Sequence, residues 1–210
     1  MEDPAGERRR ARLSGWRGWM FGLLGLYALG AAGFLIAGGG GPDETSLATA
    51  EADIMDVEAT ACSEIDPAAH GVDASLAGVH RLGFVTLDER PAAFSGYAGC
   101  PLIVNFFASW CAPCVTEMPD FERFWNAHGT DVAVLGLAAN DRLADAIATV
   151  RSRGVTYPTG LDEGELFIDF GGLGMPTTVF VSPSGELLET HSGLLTLDEI
   201  TRRARAHFGI

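Results

Sequence analysis

The spacing of apolar positions changes several times along the chain, and each change marks an element. In PLIVNFF, residues 101–107, apolar residues are consecutive rather than alternate, and Asn105 is the single polar member. Such a run, rich in β-branched and aromatic residues, predicts a strand buried on both faces. DVAVLGLAAN, residues 131–140, predicts a second. Between them, after the loop ASWCAP, Phe121, Phe124, Trp125 and His128 recur at helical spacing and Gly129 supplies a stop. This predicts a helix with one face on the sheet. Pro119 inside it predicts a kink. A second helix is expected over DRLADAIATVRSRG, where Leu143, Ala146, Ile147 and Val150 form a stripe that Gly154 ends. TTVFVS and ELLETHSG, separated by a turn at PSG, read as a third and a fourth strand. TLDE at 196–199 is a capping box, Thr196 with Glu199, opening a C-terminal helix. Ahead of all these, LGFVTL and the turn-rich DERPAAFSGYAG predict a short edge strand or hairpin. Strands alternating with helices, then a terminal hairpin and helix, define an α/β fold with a central mixed sheet flanked by helices.

The first third of the chain has no such pattern. Arg8, Arg9, Arg10, Arg12 and Arg17 make residues 1–17 basic, and from Gly18 to Pro42 no charge occurs. The apolar stretch approaches the roughly 20 residues that a membrane-spanning helix needs. Basic residues ahead of it place the N-terminus in the cytoplasm. The reading is a cytoplasmic segment over 1–17, a transmembrane anchor over 18–41 and a catalytic domain on the extracytoplasmic side of the cell membrane. A cleaved secretory signal is the alternative, since ATA at 48–50 can serve as a cleavage site, although it lies far beyond the apolar run. Either way, the chain beyond this segment is expected to be exported. Residues 42–78, acidic, alanine-rich and without basic residues, read as a flexible tether that buries little apolar surface. The folded domain then occupies 79–210.

Composition narrows the partners. All 14 basic residues are arginine, against 28 acidic residues, and the formal charge of −14 argues against nucleic acid.

Chemistry concentrates at SWCAPCVTEMP, residues 109–119. An isolated CxxC also serves zinc sites and haem attachment. Haem attachment requires His after the second Cys, where Val115 stands, and zinc requires a second ligand pair that the chain does not offer. The position between strand and helix points to redox work. A thiol in the first turn of a helix faces unpaired backbone N–H groups and the positive end of the helix dipole, which favour thiolate. Cys111 is therefore the expected nucleophile. Cys114, one turn further in, is placed to resolve a mixed disulfide, and Pro113 stiffens the turn without removing a needed donor.

FFASWCAPC resembles the active-site segment of the thioredoxin superfamily, and GGLGMPTTVFV resembles that family's cis-proline segment. The resemblance covers about residues 81–209. It implies a thioredoxin-like fold in which Pro176 is the cis-proline, with Met175 before it free to pair with a substrate strand. Trp110 is then a flat surface for the incoming chain, while Thr177 and Thr178 begin the strand. The long interval from Cys114 to Pro176 leaves room for an extra strand and helix. WCAPCVTEMP, that spacing and the N-terminal anchor together are similar to the membrane-tethered TlpA and ResA branch. By that likeness Glu117 matches the acidic residue of CxxCxxE and exchanges protons with Cys114. A solvated carboxylate on the helix surface is the plain alternative. Asn105 takes the place of the buried Asp of plain thioredoxins and cannot titrate.

Cys62 and Cys100 lie outside the motif. In an exported domain they are expected to form a structural disulfide that pins the tether to the domain, stabilising it by about 3 kcal/mol in the chain-entropy model.

The expected function is a membrane-tethered thiol-disulfide oxidoreductase without cofactor or metal, acting on cysteine-containing exported proteins. Strong oxidants of the superfamily resemble one another in having His before the second Cys. Pro113 stands there instead, so a reductant is expected, supplied with electrons by a membrane protein and held to lipid by its N-terminal helix. Apocytochrome c thiols and copper-site cysteines are the substrates the resemblance implies. The alternatives are a disulfide-forming oxidant and a copper metallochaperone with Cys111 and Cys114 as ligands. The family's metallochaperones have wider Cys spacing and a later His ligand, and His191 here has no motif around it. A peroxidase of the same fold would require Pro-x-x-x-Thr/Ser-x-x-Cys, which is absent.

Overall fold

The protein is described by a computed structural model covering residues 61–162 and 164–210. The basic segment, the anchor and tether residues 42–60 lie outside the described residues. Among the described residues no helix is long and apolar enough to cross a membrane.

Seven strands among the described residues form one mixed sheet: β1 (Gly83–Thr86), β2 (Pro91–Ala93), β3 (Leu102–Phe107), β4 (Ala133–Ala139), β5 (Thr159–Asp162), β6 (Thr177–Val181) and β7 (Leu187–Ser192), in the order β2-β1-β5-β4-β3-β6-β7. The two apolar runs become central β3 and β4, which pair in parallel and are buried along their whole length. β5 is parallel to β4, whereas β6 is antiparallel to β3, β7 to β6, and the β1/β2 hairpin to β5. The hairpin expected ahead of the sheet is thus its outer edge, with Pro91 on the end strand, where no ladder donor is lost.

Helices α1 (Ala112–His128), α2 (Leu143–Ser152) and α4 (Leu197–Phe208) cover one face, and short α3 (Glu165–Asp169) lies on the other. Phe121 and Phe124 of α1 and Ile200 and Ala204 of α4 pack on Ile103, Val134 and Phe180. On the opposite face Val104, Phe106, Leu135 and Leu137 meet Phe94, Tyr97 and Phe170. α1 continues through Pro119 as one helical run to His128. Thr196 and Glu199 make the expected capping box at α4.

β5 and α3 are the elements that hydrophobic spacing does not locate, and they fill the long interval before Pro176. Each is too short to show a period. β5 is held by ladders on both sides, and α3 by Asp162, whose carboxylate accepts the N–H groups of Leu166 (3.1 Å) and Phe167 (2.8 Å).

The end of the expected tether differs from its reading. From Ala61 the chain forms 3-10 turns at Cys62–Glu64, Pro67–Ala69 and Gly78–Arg81, with Cys62 and Pro67 buried. Cys62 and Val79 join the core on the α3 side of the sheet, with Ile65 and Ala68 packed against it. The segment is fastened by the Cys62–Cys100 disulfide and by Cys62 N–H donating to Thr130 O at 3.1 Å. Gly78 completes the junction: its φ is +59°, and a Cβ there would lie 1.9 Å from Gly185 O.

Candidate active site

β3 ends at Phe107, and four residues later Cys111 caps α1. The strand buries its end because all six of its side chains are covered, so the loop after it emerges at the carboxyl edge of the sheet, where open α/β folds place their chemistry. Cys111 and Cys114 are joined as a disulfide, with Cα atoms 5.3 Å apart. Cys111 Sγ accepts the Cys114 backbone N–H at 3.3 Å. The same N–H, with the rest of the first turn, would stabilise a thiolate on Cys111 after reduction. Cys111 is 5% exposed and Cys114 is sealed. An incoming group therefore reaches the first sulfur and not the second. Pro113 is the second residue of the helix and is exposed.

The Met175–Pro176 peptide is cis, and Met175 packs on the cluster that contains both sulfurs. Met175 also lines an open groove with Trp110, Cys111, Ala112, Asn140 and Phe167. Trp110 is 64% exposed, and its indole Nε1–H donates to Asn140 O at 3.2 Å. The neighbouring Ser109 hydroxyl donates to Asp141 Oδ1 at 2.7 Å. These two bonds fasten the active-site loop to the end of β4. Asn140, Asp141 and Phe167 are site residues that sequence reasoning does not single out. A signal exists for the first two, because AAND closes the second of the two expected buried strands. Phe167 carries none, since α3 itself has no visible pattern.

Glu117 is buried, 1% exposed, so the solvated alternative does not apply. Asn105 Nδ2 donates to its Oε1 at 2.7 Å, and Leu195 N–H donates to Oε2 at 2.9 Å. Both bonds favour the carboxylate, but burial works against them and prevails, raising its pKa to about 7, with a small push from Asp120. A buried carboxyl one helical turn from a buried sulfur and poised near neutrality can both take and return a proton. Thr177 begins β6, its hydroxyl donating to Gly174 O at 2.7 Å. His191 lies on β7, its Nδ1 3.2 Å from Arg203 Nη2. Among the described residues no group of three His, Cys, Asp or Glu side chains is arranged to hold a metal.

A sheet of this order with a CxxC disulfide capping the helix after a central strand, and a cis-proline beside it, defines a thioredoxin-like dithiol protein. The chain belongs to the AhpC/TSA family, which it matches over residues 77–190. Among curated proteins it is similar to thiol-disulfide oxidoreductase ResA of Oceanobacillus iheyensis, 30% identical over 118 residues, 54% of this chain and 60% of that one. It is also similar to sporulation thiol-disulfide oxidoreductase A of Bacillus subtilis, 28% identical over 107 residues, 49% of this chain and 65% of the relative. The match thus spans under two thirds of these two relatives. Among solved structures, a thioredoxin family thiol:disulfide interchange protein from Chlorobium tepidum superposes with a TM-score of 0.57 at 27% identity, covering 65% of this chain and 99% of the other.

Proposed function

We propose that this protein is a thiol-disulfide oxidoreductase whose working groups are Cys111, Cys114 and Glu117. The observation that carries the reading is the asymmetry of the disulfide: an outer sulfur open to the groove and an inner one sealed beneath it, with a carboxyl of near-neutral pKa one turn below. In the reduced protein Cys111 thiolate attacks a substrate disulfide, and the first substrate sulfur leaves as a thiolate that takes a proton from water. Glu117 accepts the proton of Cys114, whose sulfur then attacks Cys111. The S–S bond to substrate breaks, the second substrate thiolate departs, and two electrons have passed to the substrate. Trp110 and Met175 form the walls along which a substrate segment lies, and Pro176 keeps the backbone of Met175 turned to that segment. A second dithiol must then reduce Cys111–Cys114, reversing the same steps.

The finer reading is a reductant tethered to the cell membrane by residues 18–41, with its catalytic domain on the extracytoplasmic side, fed by a membrane electron donor and acting on exported cysteine proteins such as apocytochrome c or copper-site precursors. The arginines before an uncharged apolar run, the Cys62–Cys100 disulfide and Pro113 before the second Cys support it.

Reduction of insulin disulfides, compared with copper titration, tests the activity in wild type and Cys114→Ser. Catalysed reduction lost in the variant, with a stable mixed disulfide on Cys111 that mass spectrometry identifies, is the expected result. Copper binding at Cys111 and Cys114 without disulfide reduction would replace this reading with metal delivery.

A further inference from the structure

Across the helix-facing side of the sheet runs one row of directly paired residues: His191 on β7, Thr178 on β6, Asn105 on β3 and Gly136 on β4. Directly paired positions project to the same face, so these side chains are neighbours about 5 Å apart. Asn105 and Thr178 are both fully buried. The Asn105 amide is half used: Nδ2 donates to Glu117, whereas Oδ1 has no partner among the described residues, and neither has Thr178 Oγ1. Two unpaired buried polar atoms on adjacent members of one row call for a common explanation, because each alone costs the desolvation of a polar group.

On the far side of Asn105 the next member of the row is a glycine, which has no side chain to donate. The three atoms nearest a Cβ on Gly136 would be carbons, of the Tyr157 ring at 3.1 Å, of Thr159 (Cγ2) at 3.2 Å and of the Phe107 ring at 3.3 Å. Thr178 is the donor directly paired with Asn105 in the row. Its hydroxyl would reach Asn105 Oδ1 by rotation about χ1 or through one interposed water.

We propose that Thr178 is a positioning residue for Glu117: its hydroxyl engages Asn105 Oδ1 and thereby holds the amide with Nδ2, not Oδ1, toward the carboxyl. An amide's two ends have nearly the same shape, so only their partners decide which way it faces. With Thr178 donating to Oδ1, the end left for Glu117 is a donor, which favours the carboxylate. Without it the amide can turn, and Oδ1 then accepts from the protonated acid and favours that form. Thr178 thus governs how much Glu117 is available as a base for Cys114 near neutral pH. The other groups facing Glu117 are Asp120 on its own helix, the Leu195 N–H from the β7–α4 loop and Tyr157 from the segment before β5. His191, paired at its Nδ1 with Arg203, flanks Thr178 on the outer side. The role in exchange rests on the function proposed above, but the positioning itself does not.

The test is titration of the Glu117 carboxyl carbon by NMR in the oxidised protein, which requires no substrate and so separates this proposal from the function. Thr178→Val is expected to raise the proton affinity of Glu117 about tenfold, with the midpoint moving to higher pH, while Thr178→Ser, which keeps the hydroxyl, titrates as wild type. Thr178→Ala carries the same comparison should valine unfold the domain. In stopped-flow reduction of a disulfide substrate at pH 7 the slower release step of the Val variant recovers at higher pH, a displaced profile that loosened packing would not produce. An unchanged midpoint in folded Thr178→Val or Thr178→Ala, or a Ser variant shifted as far as Val, overturns the proposal. So does a shift confined to Tyr157→Phe, whose hydroxyl is also buried and unpaired.

Discussion

Glu117 and Asn105, twelve residues apart on a helix and a strand, meet at 2.7 Å where α1 lies on the sheet. The contact puts a carboxyl into the interior of the domain beneath the dithiol. Its consequences reach stability as well as exchange.

Burial raises the pKa of Glu117 from its ordinary 4.5 to about 7, a preference for the protonated form of about 3 kcal/mol. Between these values the folded protein holds a proton that the unfolded chain has lost, so stability falls as pH rises from about 4.5 and levels off above about 7. Glu117→Gln removes this term. Urea melts should show the variant gaining on wild type from pH 5 to pH 8, with the two converging in acid. A difference independent of pH would mean that Glu117 does not titrate in this range.

The Cys62–Cys100 bond closes a 38-residue separation and holds down the chain from Ala61 to Arg81. Replacing both cysteines with serine should cost about 3 to 4 kcal/mol in guanidinium unfolding. Exchange at Cys111 should persist below the melting transition, because the bond joins the start of β3 and the dithiol lies beyond its end. Limited proteolysis near residues 70–77, exposed except for half-buried Leu76, should accelerate in the same variant.

Trp110 stands in the groove beside Cys111, mostly exposed and held by one hydrogen bond to Asn140. Trp110→Ala should change stability by less than about 1 kcal/mol. Exchange with a protein disulfide should slow several-fold more than exchange with a small disulfide, since only the larger substrate spans the groove. Equal slowing for both substrates would place the residue's role in the chemistry of the sulfurs rather than in recognition.

Gly78 lies where the tether end meets the turn before β7, with positive φ and Gly185 O in the place a Cβ would take. Gly78→Ala should destabilise by about 2 kcal/mol or more through strain and displacement of that turn. Gly71, with nothing within 4 Å of its Cβ position and no positive φ, is the control and should accept alanine with little change in midpoint.

Much of this fold can be read along the chain. β3 and β4 are visible because strands covered on both faces must be apolar at consecutive positions, and α4 because its first turn carries its own cap. β5 and α3 are not, since their hydrogen bonds come from neighbours that only folding supplies: the ladders of β1 and β4, and the carboxylate of Asp162. The site divides in the same way. Cys111 and Cys114 declare themselves by spacing and by their place after a strand. Asn140 and Asp141, which hold Ser109 and Trp110, come from the end of another strand, and nothing local joins them to the dithiol.

The sequence by itself determined which sulfurs stand at the head of a helix, because a strand, a short loop and a helix succeed one another there without help from distant parts of the chain. Tertiary structure alone decided that Glu117 is buried, that Asn105 and Leu195 bind its carboxyl, and that Thr178 lies next in the row. Helical spacing sets the angle at which a side chain leaves its own axis, whereas its solvent exposure, and with it its proton affinity, depends on what other elements bring to that side.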